Sequence, residues 1–467
     1  MSMLELRGDT IAAVATPNAV GGISVVRISG PDALQTAGRI FRTVSGRPLA
    51  SYKGYTAAYG HILRDGETLD DGIATVFKAP HSYTGEDVVE ISCHGGLLVT
   101  RDVLRAALRE GARLAGPGEF TRRAFLNGKL SLTQAEAVAD LIGASSEQSV
   151  RAARSAMDGA LYRKIHGITE DLLGVSAHLA AYIDYPEEDV EEVTGPELLE
   201  KCRESLSALR SLLQNFDRGR LMREGADTVI VGKPNVGKST LMNLLSGCDR
   251  SIVTDIPGTT RDIVEETVNL GDVVLRLADT AGIRDTENLV ERIGVDIALG
   301  RLQKAELAIA VFDLSEPLSA EDGRILQELS EREIPTVAVL NKNDLPPVWD
   351  PSVISARFPH TLTLSAGGSE PAKESALAAL NREIADLLSL SGFDPNEAML
   401  ANERQRACAA EAADLLSDVC GTIEAGYTLD AVDVALESAL SALFRLTGEK
   451  VSDRVVDEVF EKFCVGK

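Results

Sequence analysis

The sequence predicts a multidomain α/β chain: an N-terminal α+β domain, a central all-α domain assembled from two separate chain segments, and a second α/β domain inserted between those segments. Three observations carry this reading. The first 127 residues alternate short β-runs with turns rich in Gly and Pro. Long stretches rich in Ala, Leu and Glu at helical spacing occur both at 128–222 and at 391–467. Between them, at 232–239, stands a GxxxxGK[ST] loop with a strand-like run before it and a helix-like run after it. The expected domains are therefore 1–127, 128–222 with 391–467, and the inserted block 223–390. Insertion suits a domain whose two ends lie close together.

In the N-terminal block, Ile23 to Ile28, Ala74 to Phe77 and Val88 to Ser92 read as strands and Val99 to Glu110 as a helix. Thr133 to Ser145, Gln148 to Ala181 and Pro196 to Phe216 are the first helical segments. Asn396 to Ala425 and Leu429 to Leu446 are the later ones.

The inserted block is the most specific part. Thr228 to Val231 is a short apolar strand, and Thr240 to Leu245 opens a helix. The loop between them is a P-loop, whose backbone N–H groups cradle phosphates. Lys238 reaches the β- and γ-phosphates and the Ser239 hydroxyl holds Mg²⁺; Asn235, Val236, Gly237 and Thr240 complete the contacts. Val273 to Ala278 is a strand delivering Asp279-Thr280-Ala281-Gly282, where a carboxylate binds Mg²⁺ through water and Gly282 senses the γ-phosphate. Leu307 to Phe312 is a further strand. Thr336 to Leu340 ends in Asn341-Lys342-Asn343-Asp344, an NKxD sequence. Asp344 accepts from the guanine N1–H and amine, a donor pair that adenine lacks; Asn341 and the stem of Lys342 complete the base pocket. Leu362 to Ala366 is a last strand with Ser365-Ala366 at its tip. Four motifs in this order describe a Ras-like GTP-binding domain.

Two features bear on hydrolysis. The residue after Gly282 is Ile283, which cannot orient water as a glutamine does there, and Glu291 is the substitute candidate; its alternative is a solvated helix face. In the first switch, Thr254-Asp255-Ile256-Pro257-Gly258-Thr259-Thr260 supplies Thr260 as a second Mg²⁺ ligand. Asn235, with carbonyls of that segment, can hold a monovalent cation against charge developing between the β- and γ-phosphates; its alternative is an ordinary turn residue.

Composition narrows the partners. The net charge of −24 argues against a broad nucleic-acid face, so any such contact is expected to be local or shared with a partner. No run of eighteen apolar residues and no basic-then-apolar start appear, so a cytoplasmic protein without membrane attachment is expected. Six cysteines (93, 202, 248, 408, 420, 464) form no CxxC pair, which speaks against zinc and disulfides. Glu187 to Glu192 is an acidic run with the character of a solvated loop.

Further motifs carry a resemblance. They are Thr10-Ile11-Ala12-Ala13-Val14-Ala15-Thr16-Pro17, Arg27-Ile28-Ser29-Gly30, Ser82-Tyr83-Thr84-Gly85-Glu86-Asp87, and Cys93-His94-Gly95-Gly96. Pro117-Gly118-Glu119-Phe120-Thr121, Arg123 to Lys129 and the terminal Cys464-Val465-Gly466-Lys467 complete the set. With them the chain resembles, over essentially its whole length, the MnmE (TrmE) family of bacterial tRNA-modifying GTPases. The resemblance implies an N-terminal folate-binding-like dimerisation domain that takes a 5-formyl- or methylene-tetrahydrofolate, with Arg27, Glu90, Lys129 and Lys467 as contacts. It implies a potassium site at Asn235, Thr254, Ile256 and Thr259, Mg²⁺ ligands at Ser239 and Thr260, and Glu291 and Cys464 as catalytic residues. It also implies a homodimer and an FAD-dependent partner, MnmG, in a heterotetramer or larger complex. Together they would convert C5 of the wobble uridine (position 34) of certain tRNAs to aminomethyl or carboxymethylaminomethyl derivatives.

One departure is that Gly367-Gly368-Ser369-Glu370 follows Ser365-Ala366 where the family has Lys or Arg and then Thr-Gly-Glu-Gly. A side-chain contact from residue 367 to guanine is lost, and backbone contacts are left. Two other classes compete: a ribosome-assembly switch, for which this acidic chain offers no basic appendage, and a folate sensor whose GTPase domain reports occupancy.

Overall fold

The computed structural model describes residues 8–184, 195–247, 266–271, 273–277, 302, 305–391, 394–461 and 463–466. The chain is multidomain α/β and divides into two compact units. One comprises Met1–Ala139, Tyr162–Leu206 and Glu411–Lys467; the other comprises Asp140–Leu161 and Ser207–Ala410.

The first unit holds a seven-stranded sheet: β1 (Ile11–Val14), β2 (Ile23–Ser29), β3 (Phe41–Thr43), β4 (Thr56–Arg64), β5 (Glu67–Phe77), β6 (Val88–His94) and β7 (Arg113–Leu114), in the order β3-β4-β5-β6-β2-β1-β7. All pairs are antiparallel except β1 with β7. Period-two alternation sorts β2: Ser24, Val26 and Ile28 are buried, and Arg27 stands on the opposite face. Helices Ala33–Ile40 and Leu97–Arg109 cover the apolar face, packing Ala37, Ile40, Val103 and Ala107 over Val26, Ile28, Ala74 and Ile91. The β4–β5 hairpin, only its last residues foreseen as strand, turns at Asp65 and Gly66, both with positive φ (54° and 86°), as a tight two-residue turn requires.

The second unit holds a six-stranded sheet: β8 (Ala226–Val231), β9 (Glu266–Asn269), β10 (Val274–Leu277), β11 (Leu307–Asp313), β12 (Thr336–Asn341) and β13 (Thr361–Thr363), ordered β13-β12-β11-β8-β10-β9. Every pairing is parallel except β9 with β10. Strands β11 and β12 are buried along their whole length, as a parallel sheet covered on both faces demands. One face packs against helices Lys238–Ser246 and Glu370–Leu387 and the other against Ala320–Glu331. Strand order reverses beside β8, so the carboxyl ends of β8, β11 and β12 frame the crevice where such sheets bind ligands.

Several expected boundaries are corrected. The run Gln148 to Ala181 is two helices, Glu147–Met157 and Ala160–Asp184, because Gly159 (φ 83°) turns the chain between them. The segment after Asn396 stays irregular until Glu403, where the Asn402 side chain accepts from the Gln405 amide at 2.9 Å and starts helix Glu403–Glu424. Pro196 to Phe216 resolves into Gly195–Gln214 and a further helix, Phe216–Glu224. The strand expected through Ala366 ends at Thr363, since the Ser365 carbonyl is drawn into a turn by the Gly368 amide.

Candidate functional site

Residues Gly232 to Gly237 join β8 to helix Lys238–Ser246. Val236 is fully buried and anchors the loop, whereas Asn235, Ser239 and Thr240 are exposed. Asn235 sits at φ 63° and Gly237 at φ 99°. A Cβ on Gly237 would stand 2.2 Å from Asn341 Nδ2, so a side chain there would break the joint described next. The Lys238 ammonium donates to the carbonyls of Gly232 (2.8 Å) and Lys233 (2.7 Å), spanning the mouth of the loop. A cation across a helix N-terminus that has no side-chain cap is the donor set that phosphate oxygens need, so the loop fits a nucleotide phosphate.

Asn341, at the end of β12 and 3% exposed, ties this loop to the segments that carry Asp344 and Ser365-Ala366. Its Nδ2 donates to the Val236 carbonyl at 2.7 Å, and its Oδ1 accepts from the Ala366 amide at 3.0 Å. The Asp344 carboxylate accepts from the Ser365 hydroxyl at 2.6 Å, a bond that holds it below the usual carboxylate range while it stays exposed. Lys342 reaches Asp313 Oδ2 at 2.5 Å, fixing the line of its stem. Burial works against ionisation of Asp313, but the Lys342 and Ser315 contacts outweigh it and depress its pKa. Thus Asn235, Val236, Gly237, Lys238, Asn341, Lys342, Asp344, Ser365 and Ala366 belong to one continuous framework.

Two supports went unforeseen in the sequence. Asp313 is one. The other is Lys233, whose ammonium lies 3.3 Å from the nearly inaccessible Asp322 and holds the loop from behind. Asp313 ends an apolar strand, and Lys233 lies in the loop with its partner Asp322 in a capping box; these signals need tertiary context to be read.

A second constellation lies on the open face of the first unit's sheet. Arg27 and Glu90 face each other in register across β2 and β6, with Arg27 Nε donating to Glu90 Oε1 at 2.8 Å. Arg27 also donates to the Gly466 carbonyl at 3.3 Å, and its guanidinium packs against the rings of Tyr83 (5.7 Å) and Phe120 (5.5 Å). Lys129 is exposed and donates to the Pro80 carbonyl at 3.2 Å. The end of the chain is pinned beside them: Val465 bridges Pro117, and the Cys464 carbonyl accepts from the Gly118 amide at 3.3 Å. The Cys464 thiol-bearing residue is exposed. Tyr83, Phe120 and Gly466 were not singled out as contacts; each lay inside a motif already noted.

Beneath this face Arg123, almost wholly buried, joins Asp9, Glu86 and Glu119, while Arg113 clamps Asp9 and Glu119. Burial pushes the Glu119 pKa up, but hydrogen bonds from Arg113 and the Gly116 amide outweigh it and leave the carboxyl below its ordinary value. Thr254, Asp255, Ile256, Pro257, Gly258, Thr259, Thr260, Asp279, Thr280, Ala281, Gly282, Ile283, Glu291 and Lys467 lie outside the described residues. Among the described residues, no group of three or more His, Cys, Asp or Glu is placed to hold a metal, and no helix is long and apolar enough to cross a membrane.

Comparison with known proteins places this geometry. Residues 10–129 match the model of the GTP-binding protein TrmE N-terminus, and residues 132–464 match that of the MnmE helical domain. The tRNA modification GTPase MnmE of Symbiobacterium thermophilum is 44% identical over 98% of this chain and 99% of its own length. That of Lactiplantibacillus plantarum is 42% identical over 98% of each chain. The G domain of the T. maritima FeoB iron transporter is 22% identical and covers 35% of this chain and 98% of its own, with a TM-score of 0.25.

Proposed function

We propose that this chain, which belongs to the MnmE family of tRNA modification GTPases, is a potassium-stimulated GTPase whose cycle drives modification at C5 of the wobble uridine (position 34) of certain tRNAs. The chain is a GTPase that acts in tRNA modification, with GTP as substrate and Mg²⁺ as its metal. The Asn341 joint between the phosphate loop and the Asp344 and Ser365-Ala366 segments supports the GTP site, and the finer reading is supported by the match to these relatives almost end to end. In this reading the N–H groups of residues 235–240 and the Lys238 ammonium bind the phosphates, and Asp344 reads guanine. Glu291 orients the attacking water, since Ile283 cannot. When bound, Mg²⁺ at Ser239 and Thr260 and K⁺ at Asn235, Thr254, Ile256 and Thr259 would supply positive charge against the β–γ bridge.

The Arg27–Glu90 pair is suited to a tetrahydrofolate derivative. Its carboxylate accepts from pterin N–H groups, and Arg27, Lys129 and Lys467 match formyl or glutamate oxygens. The docked tail brings Cys464 to the same face, consistent with a catalytic thiol there. We further propose a homodimer through the N-terminal domains, a complex with the FAD-dependent partner MnmG, and a cytoplasmic location. Mass spectrometry of tRNA nucleosides from cells lacking this protein tests the reading: position-34 uridines lacking the C5 group are expected. Normally modified wobble uridines would overturn it.

A further inference from the structure

Residues 8–129 carry 14 Lys and Arg against 12 Asp and Glu, in a chain with 47 against 71. The surplus is concentrated on one surface. Arg101, Arg105 and Arg109 recur every four residues along helix Leu97–Arg109, so they share one face, about 6 Å apart along the axis. All three side chains are more than half exposed, whereas Thr100, Val103, Ala106 and Ala107 take the buried face.

Ion pairs bring two more arginines to this face. Arg64, at the end of β4, binds Asp102 at 2.6 Å, and that same carboxylate is the distant neighbour of Arg101 (3.7 Å) and Arg105 (3.8 Å). Arg109 pairs with Asp65 of the β4–β5 turn at 3.0 Å, and Arg39 approaches Glu110 at 3.7 Å. Five guanidinium groups thus share three carboxylates. The ion pairs made by Arg39, Arg101 and Arg105 are longer than hydrogen bonds, and although Arg39 also donates to the Glu110 carbonyl at 3.3 Å, the planar donors of Arg101 and Arg105 are available to another anion.

We propose that this arginine face binds the phosphate backbone of the tRNA substrate, and so orients the tRNA against the N-terminal unit. Arginine forks match phosphate oxygens bidentately. A local positive surface on an otherwise acidic chain also concentrates the field where a polyanion can approach without meeting like charge elsewhere. The inference rests on tRNA being the substrate.

The test uses the full-length protein, with and without its FAD-dependent partner, and measures binding of unmodified tRNA across a salt series. In the Arg101→Ala/Arg105→Ala/Arg109→Ala variant, affinity is expected to fall about 30-fold at moderate salt. The slope of log K against log salt should shrink by about 2 to 3, one phosphate per arginine. The corresponding triple Lys variant should recover most of the loss, because point charge suffices for much of a phosphate contact. These residues touch neither the phosphate loop nor the Arg27 site, so GTP hydrolysis without tRNA should match that of the parent chain. Parent-like affinity and slope in the Ala variant would overturn the arginine face while leaving tRNA as substrate. Failure of the parent chain to bind tRNA at low salt, with or without the partner, would overturn both.

Discussion

At the scale of single residues, the proposed nucleotide site rests on one carboxamide and one carboxylate. Asn341 satisfies two backbone groups from different loops, and losing it would leave a buried carbonyl and amide unpaired, a cost of about 1–3 kcal/mol. Asp344 is different: it is exposed, and Ser365 holds it in the ionised form that can accept two guanine hydrogen bonds. Asp344→Asn keeps the shape but replaces an acceptor with a donor, facing the N1–H and amine of guanine. GTP affinity should fall about 10²-fold or more, and xanthosine triphosphate, with a carbonyl in place of the amine, should bind better than GTP. Competition titration with the two nucleotides measures this; an unchanged preference for GTP would refute the base contact.

At the scale of elements, legibility in the sequence followed the range of the interactions. Strands β8, β11 and β12 were readable because local apolar runs bounded by a glycine loop or an NKxD end have one stable reading. The N-terminal sheet was readable only in part. The open face of β4 and β5 mixes polar residues with exposed apolar ones such as Tyr59 and Ile73, so alternation is blurred, and the pairing order is set by contacts far apart in sequence. The residues around Arg27 were hidden for the same reason: Tyr83, Phe120 and Gly466 meet it from three remote segments. Gly466 shows what the tail needs. It sits at φ 100°, and a Cβ there would lie 2.2 Å from the Val14 carbonyl, so Gly466→Ala must lift the tail off β1. Its carbonyl would then leave Arg27, a charge-assisted contact worth about 1.5–3 kcal/mol. Fluorescence titration with 5-formyltetrahydrofolate should show affinity lowered about tenfold or more. Equal binding by the variant would disconnect the tail from that site.

At the scale of the whole molecule, an acidic chain with a P-loop domain inserted into a helical one must switch without the usual water-orienting glutamine, because Ile283 occupies that position. Two substitutes are proposed: Glu291 for the water and K⁺ at Asn235 for the charge that grows between the β- and γ-phosphates. They act on different parts of the barrier, so they separate experimentally. Replacing KCl by NaCl at fixed ionic strength should slow GTP hydrolysis about tenfold or more, because Na⁺ is smaller and holds its water more tightly, so it would replace K⁺ poorly as a source of charge beside the phosphates. Glu291→Ala should bind GTP normally and lose turnover in either salt. If the G domains also close on each other within the proposed homodimer, that closure is intramolecular, so the potassium-stimulated rate per protomer should be independent of protein concentration once the dimer has formed, whereas the rate in sodium should stay low throughout. Equal turnover in both salts at every concentration would remove the cation, and undiminished turnover by Glu291→Ala would remove the carboxylate. Either result would leave the phosphate loop as it stands and require another route for hydrolysis.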